Sequence, residues 1–580
     1  MKVRVSGSAK PGVEMLCGFA FSDDKGLPRF VSAGGRGNAV SDKDLASALR
    51  QTARDVAGKQ GRIAVIPVPS RRPARRLLVA GLGSRKDATY DAVRHVSGKI
   101  AKKATELKLG EFAVVVPRLG AGSTQAGTAS AIVEGSKMAT YKFDRFKGAG
   151  DDDCDIGDDG DGDGGFGYGA EGGSSSGNGA HGGQNRAGAT RGSSPPVTRS
   201  GLVSEVLSAG DAAGPDLVIV CDDPPKKKEK KGETLDDVSK AVRTSSVVSD
   251  GNLFVRSVAN LPPNECTPQT LADIARGIAR KDSRLRCTVV SKGALKRRGF
   301  GGITAVGQGS KNEPKLIILE YRGASGRRSG RASAAAAGPI VLVGKAVTFD
   351  TGGISLKPGA SMDEMKFDKC GGCTVLGIIR TATKLRLRTD IVCIVPAVEN
   401  MPGGESYRPG DIIRLYSGKT AEILNTDAEG RLILADALAY GERHHKPGEI
   451  IDFATLTGAC IVALGNDVAG MVSNDPGLAD AIRQSAARTS ESVWELPLDQ
   501  NYMDMIKSPV ADMRNMGIGR AAGTIVAAAF LRNAIEDTPW VHLDIAGVAW
   551  TQTSTKSRSY KSKGATGFGL RLVMDHLLGQ

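Results

Sequence analysis

Apolar residues along this chain recur in two patterns. In the first part, "RLLVAGLG" (Arg76 to Gly83) is a continuous apolar run closed by a glycine turn, the mark of a buried strand, and "EFAVVVPRLG" repeats it. Between them, "DAVRHVSGKIAKKATEL" spaces its apolar residues at helical intervals. Residues 1–147 therefore read as a smaller N-terminal α/β domain that ends near "YKFDRFK", Tyr141 to Lys147. From Asn252 onward, the strand-like runs "KLIILEY", "IVLVGK", "DIVCIVPAV" and "EIIDFATL" alternate with helical "TPQTLADIARGIAR" and "RLILADALAYGER". That rhythm predicts a larger α/β domain over 252–580 with a mixed, largely parallel sheet.

The pattern fails in three places. Residues 148–200 collapse into Gly, Asp and Ser, too poor in apolar side chains to offset the entropy of ordering, and are expected to be disordered. Within them Asp159, Asp161, Asp163 and Gly164 imitate a calcium loop, but the closing acid, Glu171, comes one place late, at the residue after Ala170. No amphipathic helices flank it, so no calcium site is expected. Residues 201–251 bring order back and link the domains, apart from the basic loop "PPKKKEKKGE", Pro224 to Glu233, which reads as a solvated surface loop. A third insertion, residues 321–339, separates two strand-like runs.

Composition narrows the class. The 580 residues exceed one ordinary core, and 76 glycines exceed what a uniformly compact chain holds. A net charge of +15 leaves nucleic acid open as a partner, whereas only 4% aromatic residues argue against base-stacking platforms. No apolar run is long enough for a signal peptide or a bilayer span, and nine cysteines fit reduced thiols better than a disulfide framework, so a cytoplasmic protein with no membrane partner is expected.

Candidate chemistry is then sifted by spacing. Gly418-Lys419-Thr420 looks like the end of a phosphate loop, but Ile413 stands where the required glycine belongs and the strand-like "AEILN" follows instead of a helix. It is a turn between strands. Cys370 and Cys373 ("CGGC") have metal or redox spacing without a second pair, and read as small residues packing a helix start. His444 and His445 follow a helix end, where they would cap carbonyls or face solvent. No G-x-S-x-G elbow appears.

Carboxylates remain. Asp427, Glu429 and Arg431 alternate at a strand-to-helix junction, and an extended chain there would turn all three to one side. Carboxylates held so close call for cations, and hard oxygen ligands suit divalent metals. A second segment, "GKAVTFDTGGISLKPGASMDEMKFDKCGG", adds Asp350, Lys357, Asp363, Glu364 and Asp368. Lys345 lies in its apolar strand, where an ammonium is costly unless it is paired or neutral, and a bound cation would keep it neutral. Spacing alone does not choose among Asp363, Glu364 and Asp368.

With these motifs the chain resembles the leucine aminopeptidase family of metallopeptidases. "NTDAEGRL" (Asn425 to Leu432) matches that family's signature unchanged, and the frame GK-x-x-x-FDTGGISLKP around Lys345, Asp350 and Lys357 matches with Ala346 where glycine is usual. "VANLPPNECTP", "AVGQGS", "DFATLTGA", "HLDIAG" and "ATGFG" extend the likeness. The resemblance implies two divalent ions (Zn²⁺, Mn²⁺ or Co²⁺), one held by Lys345, Asp350, Asp368 and Glu429. The other would be held by Asp350, Asp427 and Glu429, with the Asp427 carbonyl a candidate further ligand. It further implies Lys357 as oxyanion donor and Arg431 as holder of a proton-shuttling bicarbonate. Met365, Asn425, Thr455, Gly458 and Ala546 would line the pocket for an apolar, Leu-like N-terminal side chain. Peptide substrates and a homohexamer follow from the same likeness. The alternative expectation is a DNA-binding protein that uses the peptidase fold as a scaffold; a complete ligand set weighs against it.

Overall fold

The computed structural model describes residues 1–7, 13–24, 43–68, 74–120, 122–147, 198–208, 214–221, 233–323, 338–517, 519, 521–552 and 558–579. The calcium-like acidic stretch lies outside them, as do nearly all of the basic loop and most of the 321–339 insertion. By contacts the chain forms one compact unit, Met1–Tyr141 with Arg199–Gln580, and a second, Lys142–Thr198. Of the second unit little is described beyond a turn in which the Lys147 amide donates to the Asp144 carbonyl at 2.9 Å.

The main unit is a two-domain α/β structure. Its first sheet contains β1 (Val3–Ser6), β2 (Val13–Ala20), β3 (Ile63–Pro67), β4 (Ala74–Gly81), β5 (Glu111–Val115) and β6 (Asp216–Val220), in the order β1-β6-β5-β2-β4-β3. Only the edge pair β3–β4 is antiparallel. β4 and β5 are the two apolar runs that the sequence marks as strands, and the helix Tyr90–Glu106 lies between them in the chain, its first turn capped by the Thr89 hydroxyl.

The larger domain adds β7 (Leu285–Val290), β8 (Lys315–Tyr321), β9 (Ile340–Gly344), β10 (Ala346–Asp350), β11 (Ile391–Asn400), β12 (Ile412–Arg414), β13 (Thr420–Glu422), β14 (Glu449–Ala454), β15 (Ala469–Ser473), β16 (Val493–Glu495), β17 (Met513–Arg514) and β18 (Trp540–Asp544). Nine of them form one sheet, ordered β16-β15-β18-β14-β9-β11-β8-β7 with β10 also on β11. Its centre, β18-β14-β9-β11 and β10, is parallel, whereas β7, β8 and β15 join antiparallel. β11 is buried at every position, as a strand covered on both faces must be. Successive residues of it show the two covers: Ile394 abuts Gly441 in the helix Gly430–His445, and Val395 abuts Gly372 in the helix Cys370–Leu385.

The helix Leu235–Ala259 runs unbroken through the expected domain boundary at Asn252. Its start is fixed by a capping box between Thr234 and Asp237, and its end is tied to both domains. Arg256 donates to the carbonyls of Met138 (3.0 Å) and Ala565 (3.1 Å), and Asn252 to those of Thr566 and Gly567. Hydrophobic spacing does not reveal such a continuity, because a helix shared by two cores is apolar on more than one face.

Lys345 sits at a break rather than inside a strand. Its amide donates to the Phe453 carbonyl at 3.0 Å and its carbonyl accepts from the Gly372 amide at 2.7 Å; beyond it the chain leaves β14 and pairs only with β11. The approach of the Cys370–Leu385 helix to this break needs glycine: a Cβ on Gly371 would stand 2.2 Å from the Phe453 carbonyl oxygen. Cys370 and Cys373 are buried free thiols in that helix, and burial pushes the Cys370 thiol up to about 12. Replacing Gly371 by Ala is expected to destabilise the protein by about 1–3 kcal/mol. Gly404→Ala, whose Cβ meets nothing within 4 Å, should leave the thermal midpoint unchanged in the same calorimetric comparison.

Candidate active site

Several parallel strands deliver their carboxyl ends to one place. Asp350 ends β10, Asn400 ends β11, Thr455 follows β14, and Ala546 lies just beyond β18. In open α/β sheets that edge is where ligands bind.

Two ammonium groups and four carboxylates form the floor. Lys345 Nζ is 2.8 Å from Asp368 Oδ1, 2.7 Å from Glu429 Oε1, and donates to the Thr455 carbonyl at 2.9 Å. Lys357 Nζ lies 2.9 Å from Asp350 Oδ2 and also contacts Asp427 Oδ1. Asp350 Oδ1 accepts from Asn400 Nδ2 (2.8 Å) and the Gly352 amide (2.9 Å), while the Thr455 hydroxyl donates to Asp368 Oδ1 at 2.7 Å. Oxygens of Asp350, Asp368 and Glu429 lie within 4.8 Å of one another. Of the candidates that spacing left open, Asp368 is the one against Lys345. Glu364 lies farther along the cleft, bonded to Gln552 at 3.0 Å, and Asp363 is exposed outside the lining.

The electrostatics follow from burial and crowding. Burial opposes the Lys345 ammonium, but Asp368, Glu429 and Asp350 outweigh it and raise its pKa. Lys357 is raised for the same reasons by Asp350, Glu429 and Asp427. Burial raises Asp368 well above the carboxylate range, the nearby Glu429 and Asp350 adding to it against the pull of Lys345. Asp427 is pushed up to about 7 by burial and by the charges of Asp350 and Glu429. The cluster holds four acids against two lysines, and the surplus is expressed as the raised pKa values of Asp368 and Asp427.

Residues 425–431 are not extended, contrary to the expectation from alternation. β13 stops at Glu422, the Asn425 side chain accepts from the Asp427 amide at 2.8 Å, and the helix begins at Gly430 directly after Glu429. An asparagine side chain that captures an amide two residues on makes a turn locally cheaper than a strand. Asp427 and Glu429 converge through that turn. Thr426 is its anchor, since its carbonyl accepts from Asn400 Nδ2 and Tyr407 Oη, and its hydroxyl donates to the Gly352 carbonyl. Gly430 gives Lys345 room: a Cβ there would stand 2.7 Å from Lys345 Cε.

A cleft of about 580 Å³ opens above this floor. Met365, Asn425, Thr455, Gly458, Ala546 and Arg431 all line it, together with Lys345, Asp350, Lys357, Asp368, Asp427 and Glu429. Arg431 donates to the Asn515 carbonyl at 2.7 Å, while its buried Nε has no hydrogen-bond partner. Sequence reasoning missed Leu456, Ile461, Val526 and Trp550 of the lining. Trp550 stacks on Phe367 at 5.6 Å; nothing local in either segment marks that pairing.

The remaining candidates lie elsewhere. Gly418 is a left-handed turn residue (φ 94°) between antiparallel β12 and β13, and Lys419 donates to the Asn533 carbonyl, so no phosphate loop forms. His444 and His445 are the last residues of their helix, packed around Tyr440, with His444 Nε2 2.6 Å from Tyr416 Oη. Among the described residues, no helix is long and apolar enough to cross a membrane.

Known proteins resemble this chain over nearly its whole length. The sequence profile described as "Cytosol aminopeptidase family, catalytic domain" matches residues 253–574, and that for the family's N-terminal domain matches 32–149. A "Probable cytosol aminopeptidase" of Cenarchaeum symbiosum is 47% identical over all of both chains. One of Roseiflexus castenholzii is 39% identical over 90% of this chain and 91% of its own. Among solved structures, "Bottromycin maturation enzyme BotP in complex with Mn" superposes with a TM-score of 0.73 at 24% identity, covering 98% of this chain and 99% of that one; at that identity the likeness establishes the fold alone. The chain therefore belongs to the cytosol aminopeptidase family and is a metal-dependent aminopeptidase, a hydrolase.

Proposed function

We propose that this chain removes N-terminal residues from peptides, with Leu and other apolar side chains preferred, using a water activated between two divalent ions. The observation that carries the reading is the convergence of Asp350, Asp368 and Glu429 oxygens on a buried lysine, with Asp368 Oδ2 buried and lacking any hydrogen-bond partner. That donor set suits hard or borderline dications such as Zn²⁺, Mn²⁺ or Co²⁺. Lys345, as the neutral amine that a bound cation would leave it, would hold one ion with Asp350, Asp368 and Glu429, and Asp350, Asp427 and Glu429 would hold the other, with the Asp427 carbonyl as a further ligand. When bound, the pair supplies Lewis-acid polarisation of the scissile carbonyl and lowers the pKa of water.

The chain's own groups do the rest. Lys357, with its side chain 22% exposed at the cleft, keeps its proton among acids and is placed to donate to a developing oxyanion. Arg431 has no acceptor atom and cannot act as a base. Its unpartnered Nε suits a small anion, and bicarbonate as proton carrier is proposed there. Met365, Thr455, Gly458 and Ala546 offer a wall with little charge for the substrate side chain, and Asn425 lines the same cleft. Met suits varied apolar shapes because it is unbranched and flexible. Family resemblance alone supports the proposals of a homohexamer and a cytoplasmic location.

Hydrolysis of leucyl p-nitroanilide tests the reading. Turnover is expected to vanish after exhaustive chelation and to return with Mn²⁺, Co²⁺ or Zn²⁺; full activity without metal would refute it. Lys357→Ala is expected to lower kcat by roughly 10²–10³-fold with the fold intact by circular dichroism. Glu429→Gln should abolish turnover and reduce the metal retained per chain, read by elemental analysis.

A further inference from the structure

One buried acid plays no part in the chemistry described so far. Asp544, the last residue of β18, is fully buried and does not line the cleft. Among the described residues, no lysine or arginine forms a salt bridge with it. N–H and O–H donors hold it instead. Its Oδ1 accepts from the amides of Leu456 (3.1 Å), Thr457 (3.5 Å) and Ala546 (3.2 Å), and its Oδ2 from the Thr457 hydroxyl at 2.6 Å. Burial raises Asp544 above the ordinary carboxylate range and the nearby His542 only opposes this, so with no cation bonded to it directly, such a group persists where its donors need one common acceptor.

Those donors belong to the cleft wall. Thr455, Leu456, Thr457, Gly458 and Ala546 all line it. Thr455 reaches down to Lys345 and Asp368, and Gly458 begins the helix Gly458–Leu464, whose cap is the Thr457 hydroxyl accepting from the Cys460 amide at 3.1 Å. The same hydroxyl lies 2.9 Å from Thr524 Oγ1, in the helix Gly523–Arg532 that forms another part of the wall. Asp544 thus ties the loop after β14 to the loop after β18, and through Thr457 to the facing helix.

We propose that Asp544 is the positioning residue that sets the width of the apolar specificity pocket, acting through Thr457 and the amides of Leu456 and Ala546. This rests on the aminopeptidase reading for its substrate, though the placement of the wall does not. Removing the acceptor frees three amides and a hydroxyl at once, so the wall relaxes and discrimination by side-chain size falls. Asparagine keeps an acceptor for the amides and can donate to the Thr457 oxygen, so it should restore the wall. A role in stability alone would lower the melting point without changing discrimination.

The test uses full-length protein loaded with metal and compares leucyl and alanyl p-nitroanilides. Asp544→Ala is expected to raise KM for the leucyl substrate by about tenfold and to cut the leucyl-to-alanyl ratio of kcat/KM by about fivefold or more, whereas Asp544→Asn stays within about threefold on both. Hydrogen–deuterium exchange over residues 455–460, without substrate, should speed up by about tenfold in Asp544→Ala and not in Asp544→Asn. A folded Asp544→Ala with unchanged ratio and unchanged exchange overturns the proposal. Should that variant not fold, Thr457→Val decides in its place: a reduced ratio and faster exchange support the proposal, and wild-type values of both overturn it. Wild-type protein without chelator-sensitive turnover would count against the aminopeptidase reading, and the exchange measurement would still decide the role of Asp544.

Discussion

The ammonium of Lys345, buried against Asp368 and Glu429, is the constraint around which the larger domain is arranged. A charge removed from water at that depth survives only with partners at hydrogen-bond distance, and those partners repel each other unless cations stand between them. The strand break after Gly344 turns Lys345 toward the acids, and the Thr455 carbonyl accepts a hydrogen bond from its Nζ. In this arrangement two lysines face four acids, and Asp368 and Asp427 are held above the ordinary carboxylate range; divalent ions would let all four ionise.

Crowding so many charged groups together requires backbone to come unusually close, and small residues make that approach feasible. Gly371 lets a helix begin against β14, Gly372 lets it pass Ala346 and Val395, and Gly430 leaves space for the Lys345 stem. The "CGGC" stretch is therefore explained by packing: its glycines are contact points, and its cysteines are buried thiols with burial holding their protons on. Specificity and catalysis share this framework, because Thr455 belongs to both the charged floor and the apolar wall.

The contact between the two domains follows a similar logic at another place. Arg571 is buried between Glu134 of the first domain and Glu491 of the second, while Arg94 reaches from the helix Tyr90–Glu106 to the Arg488 carbonyl. Paired charges that cannot reach water favour one relative placement of the domains, and the unbroken helix Leu235–Ala259 reinforces it.

Local pattern in the chain was sufficient for the α/β class, for the strands β4, β5, β8, β9 and β14, and for the decoy nature of Gly418-Lys419-Thr420. An ammonium in an apolar run and carboxylates beside TGG and Asn425 were enough to suggest metal chemistry, since few other environments tolerate them. Family resemblance, rather than spacing, singled out Asp368 from Asp363 and Glu364. Only the tertiary structure brought Asp368 against Lys345, folded residues 425–431 into a turn, placed Trp550 on Phe367 and gave Asp544 its donors. Periodicity reports which face of an element is buried but not what lies opposite that face. Hydrogen-bond partners ninety residues or so apart, such as Leu456 and Asp544, leave no trace in local spacing, and their pairing is decided when the strands assemble.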